Sequence, residues 1–135
     1  MSLYKLIYSS EPFGFDESIL IHVLMQARRR NAQDGLTGAL VCRADVYLQM
    51  LEGPKDKVLE TMGRIRADDR HLNVRVRVSE ASQTRMFPKW AMHHDPMATW
   101  HWTQAEVASG VLDRAGPDQY RAIFRRLART VAEAG

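Results

Sequence analysis

One amide lies in the middle of an otherwise apolar stretch of the sequence. Gln49 stands between Leu48 and Met50 in the run 47–53, which reads as a strand. An amide that is buried without partners costs about 2–7 kcal/mol, so this side chain must face solvent, be satisfied by neighbours or contact a ligand. Because an amide carries a hydrogen-bond donor and an acceptor on one planar group, its rotation exchanges the donor and the acceptor that face those neighbours.

Two cationic clusters follow the two predicted helices of the first half of the chain. Residues 28–31 read Arg-Arg-Arg-Asn at the end of the first helix, and Arg70 and His71 follow the second. Positive charge at a helix C-terminus complements the macrodipole, so either cluster alone is explained as a solvated helix end. If the helices pack side by side, however, both clusters flank one groove, and this arrangement favours an anionic ligand.

Standard catalytic and metal-binding motifs are missing from the sequence. It contains no glycine-rich phosphate loop, no Cys/His spacing typical of zinc and no Gly-x-Ser-x-Gly elbow. His93 and His94 are adjacent on an extended segment and would point to opposite faces, so we expect no metal site there. No convincing acid–base pair stands out either, and an enzyme is not expected.

Composition limits the class of protein further. A chain of 135 residues with 45% hydrophobic content is typical of one soluble domain. No apolar run approaches the roughly 18 residues of a membrane span, and the single cysteine, Cys42, fits a reducing compartment. We therefore expect a cytoplasmic protein without a signal peptide or membrane span. The net charge of +3 is too weak to argue for nucleic acid and is compatible with an anionic ligand.

The pattern of apolar residues predicts a βαββαββ order over the first 92 residues. Alternating or continuous apolar runs predict strands at 3–10, 36–42, 46–53, 73–78 and 86–92, the last with a proline at position 88. A helix capped by Asp16 ends before Gly35, and a second begins at Pro54 and should bury Val58, Leu59, Met62 and Ile65. Because helical crossovers join strands that are parallel, this order indicates an α+β, ferredoxin-like sheet with both helices on one face.

The last forty residues predict a C-terminal extension of two helices. Thr103 and Glu106 form a capping box for the first. Pro117 begins the second, whose apolar stripe covers either the open face of the sheet or a partner; the stripe consists of Tyr120, Ile123, Phe124, Leu127 and Val131. We therefore divide the chain into a domain at 1–95 and an extension at 96–135.

The predicted topology gives Gln49 a neighbour. The first and third strands are adjacent at the centre of a ferredoxin-like sheet, so Tyr8 on the first strand comes close to Gln49 on the third. A hydroxyl and an amide beneath the same two helices then form a hydrogen-bonded pair. Trp90 and Met92 share one face of the final strand and are placed to close the pocket.

Residues 3–92 resemble a BLUF domain, the sensor of blue light that uses FAD. Six segments carry the resemblance in the family's order: Leu6-Ile7-Tyr8-Ser9, Ala27-Arg28-Arg29-Arg30-Asn31, Leu36-Thr37-Gly38-Ala39-Leu40, Leu48-Gln49-Met50-Leu51-Glu52-Gly53-Pro54, Asp68-Asp69-Arg70-His71 and Arg85-Met86-Phe87-Pro88-Lys89-Trp90-Ala91-Met92. The resemblance implies a flavin ring between the two helices, over the central strands.

The resemblance also implies roles for individual residues at the ring. Asn31 would hydrogen-bond the flavin, Gln49 would bridge the flavin and Tyr8, and Tyr8 would be the photochemical electron donor. A light-driven rearrangement of the Gln49 hydrogen bonds would then give a reversible, red-shifted state. One departure from the family is Tyr47, where phenylalanine is common, and we hypothesise that it is a second, less productive donor.

Further roles follow at the edge of the site. Arg30, Arg70 and His71 match positions near the ring edge or the phosphate tail of FAD, and Trp90 and Met92 match the pair that reports the switch. The resemblance thus predicts a short photoreceptor that signals by self-association, as a homo-oligomer, or through another protein, with no membrane and no nucleic acid involved.

Two alternatives share the fold. A flavin-free module could bind RNA or protein, but RNA-recognition domains carry exposed aromatics flanked by Lys/Arg-Gly on the third strand, and residues 47–51 lack that pattern. A small dimeric enzyme is the other, and it lacks an acid–base pair. The presence of a yellow, light-responsive flavin separates all three.

Overall fold

A mixed five-stranded sheet carries the fold. The computed structural model describes residues 3–12, 17–43, 45–68, 71–88, 92–95 and 102–134. In chain order the elements are β1 (Leu3–Pro12), α1 (Glu17–Asp34), β2 (Thr37–Arg43), β3 (Val46–Gly53), α2 (Lys55–Arg66), β4 (His71–Ser82), β5 (His93–Asp95), α3 (Gln104–Ala108), α4 (Val111–Arg114) and α5 (Pro117–Ala134).

The strands follow the order β4-β1-β3-β2-β5. Neighbours among β1 to β4 are antiparallel, and β5 pairs in parallel with β2. The predicted α+β class, with β1 and β3 at the centre, is confirmed. No described helix is long and apolar enough to cross a bilayer.

Alternation along β3 divides the interior into two cores, since successive side chains point to opposite faces. The helix-side core lies beneath α1 and α2 and comprises Leu6, Tyr8, Leu24, Leu36, Leu40, Tyr47, Leu51, Val58, Met62 and Met92. The tail-side core lies beneath α5 and comprises Ile7, Ala39, Val41, Val46, Leu48, Met50, Val78, Phe87, Trp102, Tyr120, Ile123, Phe124 and Leu127.

The apolar stripe of α5 packs on the sheet. Tyr120, Ile123, Phe124 and Leu127 are all buried in the tail-side core, whereas the side chain of Val131 lies outside the described part of the chain. Of the two predicted uses of this stripe, covering the open face of the sheet is the one observed. A partner would have to use other surfaces of α5 or displace it.

The strand predicted at 86–92 is wrong. Residues 86–88 form bends and a turn, and the strand β5 begins at His93. The backbone N–H groups of Met86 and Phe87 donate to the side chain of Glu52 instead of to a neighbouring strand, and Pro88 has no N–H to donate. Residues 89–91, including Trp90, lie outside the described residues.

The extension begins with two short helices rather than one. The capping box is confirmed: Thr103 Oγ1 accepts from the Glu106 N–H at 3.1 Å, and Glu106 Oε1 accepts from the Thr103 N–H at 3.0 Å. The helix then stops at Ala108 because Gly110 adopts a left-handed conformation with φ of +94°, and α4 starts after it. With α5, the extension has three helices where two were predicted.

Two details of α2 and β4 differ from the sequence prediction. Leu59 is 45% exposed, whereas Val58 and Met62 are buried, so the buried stripe of α2 is narrower than predicted. Strand β4 runs from His71 to Ser82 and is longer than the predicted strand at 73–78. Its pairing with β1 continues through a bulge near Asn73, where φ is +54°.

Candidate functional site

Tyr8 and Gln49 meet at the centre of the sheet. They are directly opposite each other in the antiparallel pairing of β1 with β3. Both are buried, and the Tyr8 hydroxyl donates a hydrogen bond to Oε1 of Gln49. The structure therefore brings together the two residues that the predicted topology placed side by side.

The register of β3 beside its other neighbour, β2, is restricted by a close contact between these two strands. A Cβ atom on Gly38 would lie 1.9 Å from the carbonyl oxygen of Met50, so only glycine allows the two strands to approach this closely. Since a slip of one residue would turn every side chain of β3 to the opposite face, this contact also determines that Gln49 faces the helices.

An ion pair closes the β2–β3 hairpin, whose turn lacks the common Asp-Gly sequence. The Arg43 guanidinium donates from Nε to Asp45 Oδ1 at 2.6 Å and from Nη2 to Oδ2 at 2.9 Å. Its Nη1 donates to the carbonyl of Trp102 at 2.8 Å, which attaches the extension to the same turn. A bidentate, charge-assisted pair of this kind is stronger than a hydrogen bond between neutral groups, and it links the end of β2 to the residue before β3.

The amide nitrogen of Gln49 contacts Met92. Gln49 Nε2 donates to the Met92 sulfur at 3.4 Å, and Met92 is buried. Nε of Arg28 on α1 donates to the Met92 carbonyl at 3.0 Å and holds this residue from the helix side. Met92 therefore lies beside the amide as predicted, whereas its predicted companion Trp90 lies outside the described residues.

Burial keeps Tyr8 in its protonated form. The pKa of the Tyr8 hydroxyl is raised, first because burial removes water from the phenolate and then because Tyr47 and Asp68 disfavour a negative charge there. In this arrangement the protonated hydroxyl of Tyr8 donates to the amide oxygen of Gln49, and the amide nitrogen donates to Met92.

A groove of about 390 Å³ opens above this chain, between α1 and α2. Its volume falls in the range of small-molecule sites, which is about 300–1,000 Å³. Amide, charged and apolar groups alternate along its lining, which comprises Val23, Gln26, Ala27, Arg30, Asn31, Gln49, Thr61, Arg64, Ile65 and Asp68.

Three of the five predicted cofactor-binding residues line this groove. Asn31 is 1% exposed and Arg30 is exposed, both on α1, and Gln49 forms the floor. Arg70 lies outside the described residues. His71 is the first residue of β4, and its side chain is outside the described part of the structure, so its predicted contact stays a prediction.

Sequence reasoning placed the groove between the two helices but missed Thr61 and Arg64 of α2 in its lining. Arg64 contacts Asp34 of α1 at 3.4 Å, and it also contacts Thr61 at 3.0 Å and Glu60 at 3.1 Å on its own helix. Arg64 therefore joins the two helices at the groove. The i, i+3 spacing of Thr61 and Arg64 places them on one stripe of α2, and this signal was present in the sequence.

The groove fits a flat, aromatic ring with polar edges. The aliphatic side chains of Val23, Ala27 and Ile65 offer contact to ring faces, and the amides of Asn31 and Gln49 offer hydrogen bonds to ring carbonyl and N–H groups. Within the described residues, no group of three or more His, Cys, Asp or Glu side chains could hold a metal ion. A flavin ring is consistent with this donor set.

Comparisons with known proteins point to one family. A model of the BLUF family, described as sensors of blue-light using FAD, matches residues 3–93. The photoactivated adenylate cyclase subunit beta of Euglena gracilis is 39% identical over 71 residues, which cover 52% of this chain and 8% of that protein. The blue light- and temperature-regulated antirepressor BluF of Escherichia coli is 35% identical over 66 residues, or 16% of its length.

The same fold is found among solved structures. The dark-state structure of BlrB, a BLUF protein, superposes with a TM-score of 0.77 at 28% identity, and the match covers 96% of this chain and 97% of that one. The similarity to BlrB therefore includes the C-terminal extension, whereas the chain spans only a small part of the length of the two curated relatives.

Proposed function

Because the chain belongs to the BLUF family of sensors of blue light using FAD, we propose that it is a photoreceptor whose switch is the Tyr8–Gln49 pair. The observation that carries the proposal is the hydrogen-bonded chain from Tyr8 through Gln49 to Met92 at the floor of the groove. A buried amide that has different partners at its two ends can adopt two alternative hydrogen-bonding arrangements.

Residues of both helices would hold the cofactor. Asn31 and Gln49 would hydrogen-bond the ring, and Arg30 and Arg64 would supply positive charge along the groove. Arg70 and His71 belong to the proposal as contacts at the ring edge or phosphate tail. Bound FAD would supply the absorption of blue light and accept one electron; FAD rather than FMN is part of the proposal.

The environment of Tyr8 determines how it would react. Its raised pKa and full burial make the loss of a proton to solvent unfavourable. On excitation, Tyr8 would therefore give up one electron while its hydroxyl proton moves to Oε1 of Gln49, which already accepts the hydrogen bond. Return of the electron and proton to Tyr8 closes the cycle, so no substrate is consumed and no enzyme activity is proposed for this domain.

The amide of Gln49 would store the signal. After recombination it would present exchanged donor and acceptor groups to Tyr8, to Met92 and to the groove, and a new hydrogen bond to the bound ring would shift its absorption to the red. Each neutral hydrogen bond is worth about 0.5–1.5 kcal/mol net, so two arrangements lie close in energy and the switch reverts thermally in the dark.

The structural change at Gln49 would be passed to a partner on the β5 side of the domain. Met92, with Trp90, would relay the change at Gln49, and residues 96–135 would act as the extension that follows the sensor domain at 1–95. We propose a cytoplasmic homo-oligomer that signals to a further protein partner. The apolar stripe of α5 faces the tail-side core, so partner contact would involve other surfaces of the extension or its displacement.

The test is spectroscopic. Purified protein should be yellow, should release FAD on denaturation, and should show a red shift of the flavin bands under blue light that disappears in the dark. Gln49→Leu should keep the flavin and lose the shift. A normal photocycle in Gln49→Leu would overturn the mechanism, and protein that binds no flavin would favour the flavin-free RNA- or protein-binding module.

A further inference from the structure

One buried carboxylate has no part in the proposed photochemistry. Glu52 lies three residues after Gln49 on β3 and therefore on the opposite face of the strand. Its side chain is 0% exposed. Burial of a carboxylate is costly unless hydrogen bonds satisfy it, so the hydrogen-bond partners of Glu52 indicate its structural role.

The segment after β4 supplies these contacts. Glu52 Oε1 accepts from the backbone N–H of Met86 at 2.7 Å, and Oε2 accepts from the backbone N–H of Phe87 at 2.7 Å. Thr37 Oγ1 donates to Oε2 at 2.9 Å and itself accepts from Arg85 Nη1 at 2.8 Å. One side chain of β3 thus fixes two consecutive amides in a bend that lies outside the sheet.

The fixed bend is joined to Met92 by a short length of chain. Phe87 packs in the tail-side core, whereas Met92, five residues later, packs in the helix-side core against Gln49. Five residues span at most about 18 Å even when fully extended. The distance between the bend and Met92 is therefore limited by a short length of chain.

We propose that Glu52 is a positioning residue for the photochemical switch, and that it keeps Met92 against the Gln49 amide by holding the amides of Met86 and Phe87. The proposal rests on the proposed function, because the position of Met92 matters to the rate of dark recovery only if the Gln49 amide is the switch. It assigns the carboxylate to the return of the switch in the dark rather than to cofactor binding.

Glu52→Gln distinguishes a role of Glu52 in dark recovery from a role in cofactor binding. Glutamine has the size of glutamate but one acceptor oxygen, so it cannot satisfy both N–H donors of the bend. Loss of one hydrogen bond should change the rate of dark recovery about two- to tenfold. The flavin content and the dark-state absorption maximum should stay as in the unsubstituted protein, because Glu52 lies on the face away from the groove.

A double-mutant cycle tests whether Glu52 acts through Met92. Dark-recovery rates are measured by flavin absorption for the unsubstituted protein, Glu52→Gln, Met92→Leu and the double variant, with Glu11→Gln, an exposed carboxylate on β1, as the matched control. We expect Glu52→Gln and Met92→Leu to change the rate in the same direction, and the double variant to recover at the rate of Met92→Leu alone.

A second pair of variants carries the test if Glu52→Gln does not fold. Thr37→Val removes the hydroxyl between Arg85 and Glu52, and Thr37→Ser keeps it. Thr37→Val should change dark recovery in the direction of Met92→Leu, and Thr37→Ser should restore the original rate. Additive effects in the double variant, or unchanged recovery in both Glu52→Gln and Thr37→Val, would overturn the positioning role. Absence of flavin or of any red shift in the unsubstituted protein would instead overturn the proposed function.

Discussion

Tyr8 and Gln49 lie directly opposite each other on two adjacent antiparallel strands, and the hydroxyl of Tyr8 donates to the amide oxygen of Gln49. The pair is buried beneath the groove between α1 and α2, and the amide nitrogen of Gln49 donates to Met92. The one amide that interrupts the apolar run 47–53 is therefore satisfied at both ends by groups from two other segments.

Asn31 should contribute directly to cofactor binding. It is 1% exposed and lines the groove, so Asn31→Ala removes a buried hydrogen-bonding group from the groove wall. A loss of about 1.4 kcal/mol of binding free energy corresponds to a tenfold larger dissociation constant for FAD. The constant is measured by titration of the flavin-free protein. Gln33→Ala, an exposed amide on the same helix, should bind FAD like the unsubstituted protein. Equal affinities for the two variants would contradict the role of Asn31.

Tyr47 should act as a second electron donor when Tyr8 is absent. Tyr47 is buried with Tyr8 in the helix-side core, and it lies two residues before Gln49, the partner of Tyr8, so the two tyrosines are diagonal neighbours on one face of the sheet. In time-resolved spectra, Tyr8→Phe should leave a small yield of tyrosyl radical, and the combination of Tyr8→Phe with Tyr47→Phe should remove it. Identical residual yields in the single and double variants would exclude Tyr47 as a donor.

The packing of α5 on the sheet should stabilise the domain. Phe124 is 0% exposed in the tail-side core, and truncation of such a ring costs about 3–5 kcal/mol. Phe124→Ala should therefore lower the free energy of unfolding in denaturant by about this amount, whereas Arg125→Ala, an exposed change on the same helix, should alter it by less than about 0.5 kcal/mol. A loss below about 1 kcal/mol for Phe124→Ala would indicate that the stripe is not packed on the sheet in solution.

The central part of the fold was predictable because local pattern and topology agree there. The apolar runs of β1 and β3 and the two crossovers determine that these strands are neighbours, and this adjacency places Tyr8 and Gln49 on neighbouring strands. The register needed more, since the close approach of Gly38 to the Met50 carbonyl is a contact between strands. Sequence spacing does not reveal such a contact.

The wrongly predicted strand at 86–92 and the overlooked contact of Arg64 share a physical cause, which is that distant side chains override local preference. Residues 86–88 have the composition of a strand, but the carboxylate of Glu52, more than thirty residues earlier, takes the backbone N–H groups that a sheet would use. Arg64 was overlooked for a related reason: its pairing with Glu60 is typical of an exposed helix, whereas its contact with Asp34 depends on how α1 packs beside α2.

The light-induced red shift of Tyr8→Phe, compared with that of Tyr4→Phe, tests the central claim most directly. Both tyrosines lie on the same face of β1, but the hydroxyl of Tyr4 pairs with Ser79 at 2.5 Å and not with Gln49. The Tyr8–Gln49 account predicts that both variants bind flavin, that Tyr4→Phe keeps the red shift and that Tyr8→Phe loses it. A red shift of normal size in Tyr8→Phe, or its loss in Tyr4→Phe alone, would contradict the account.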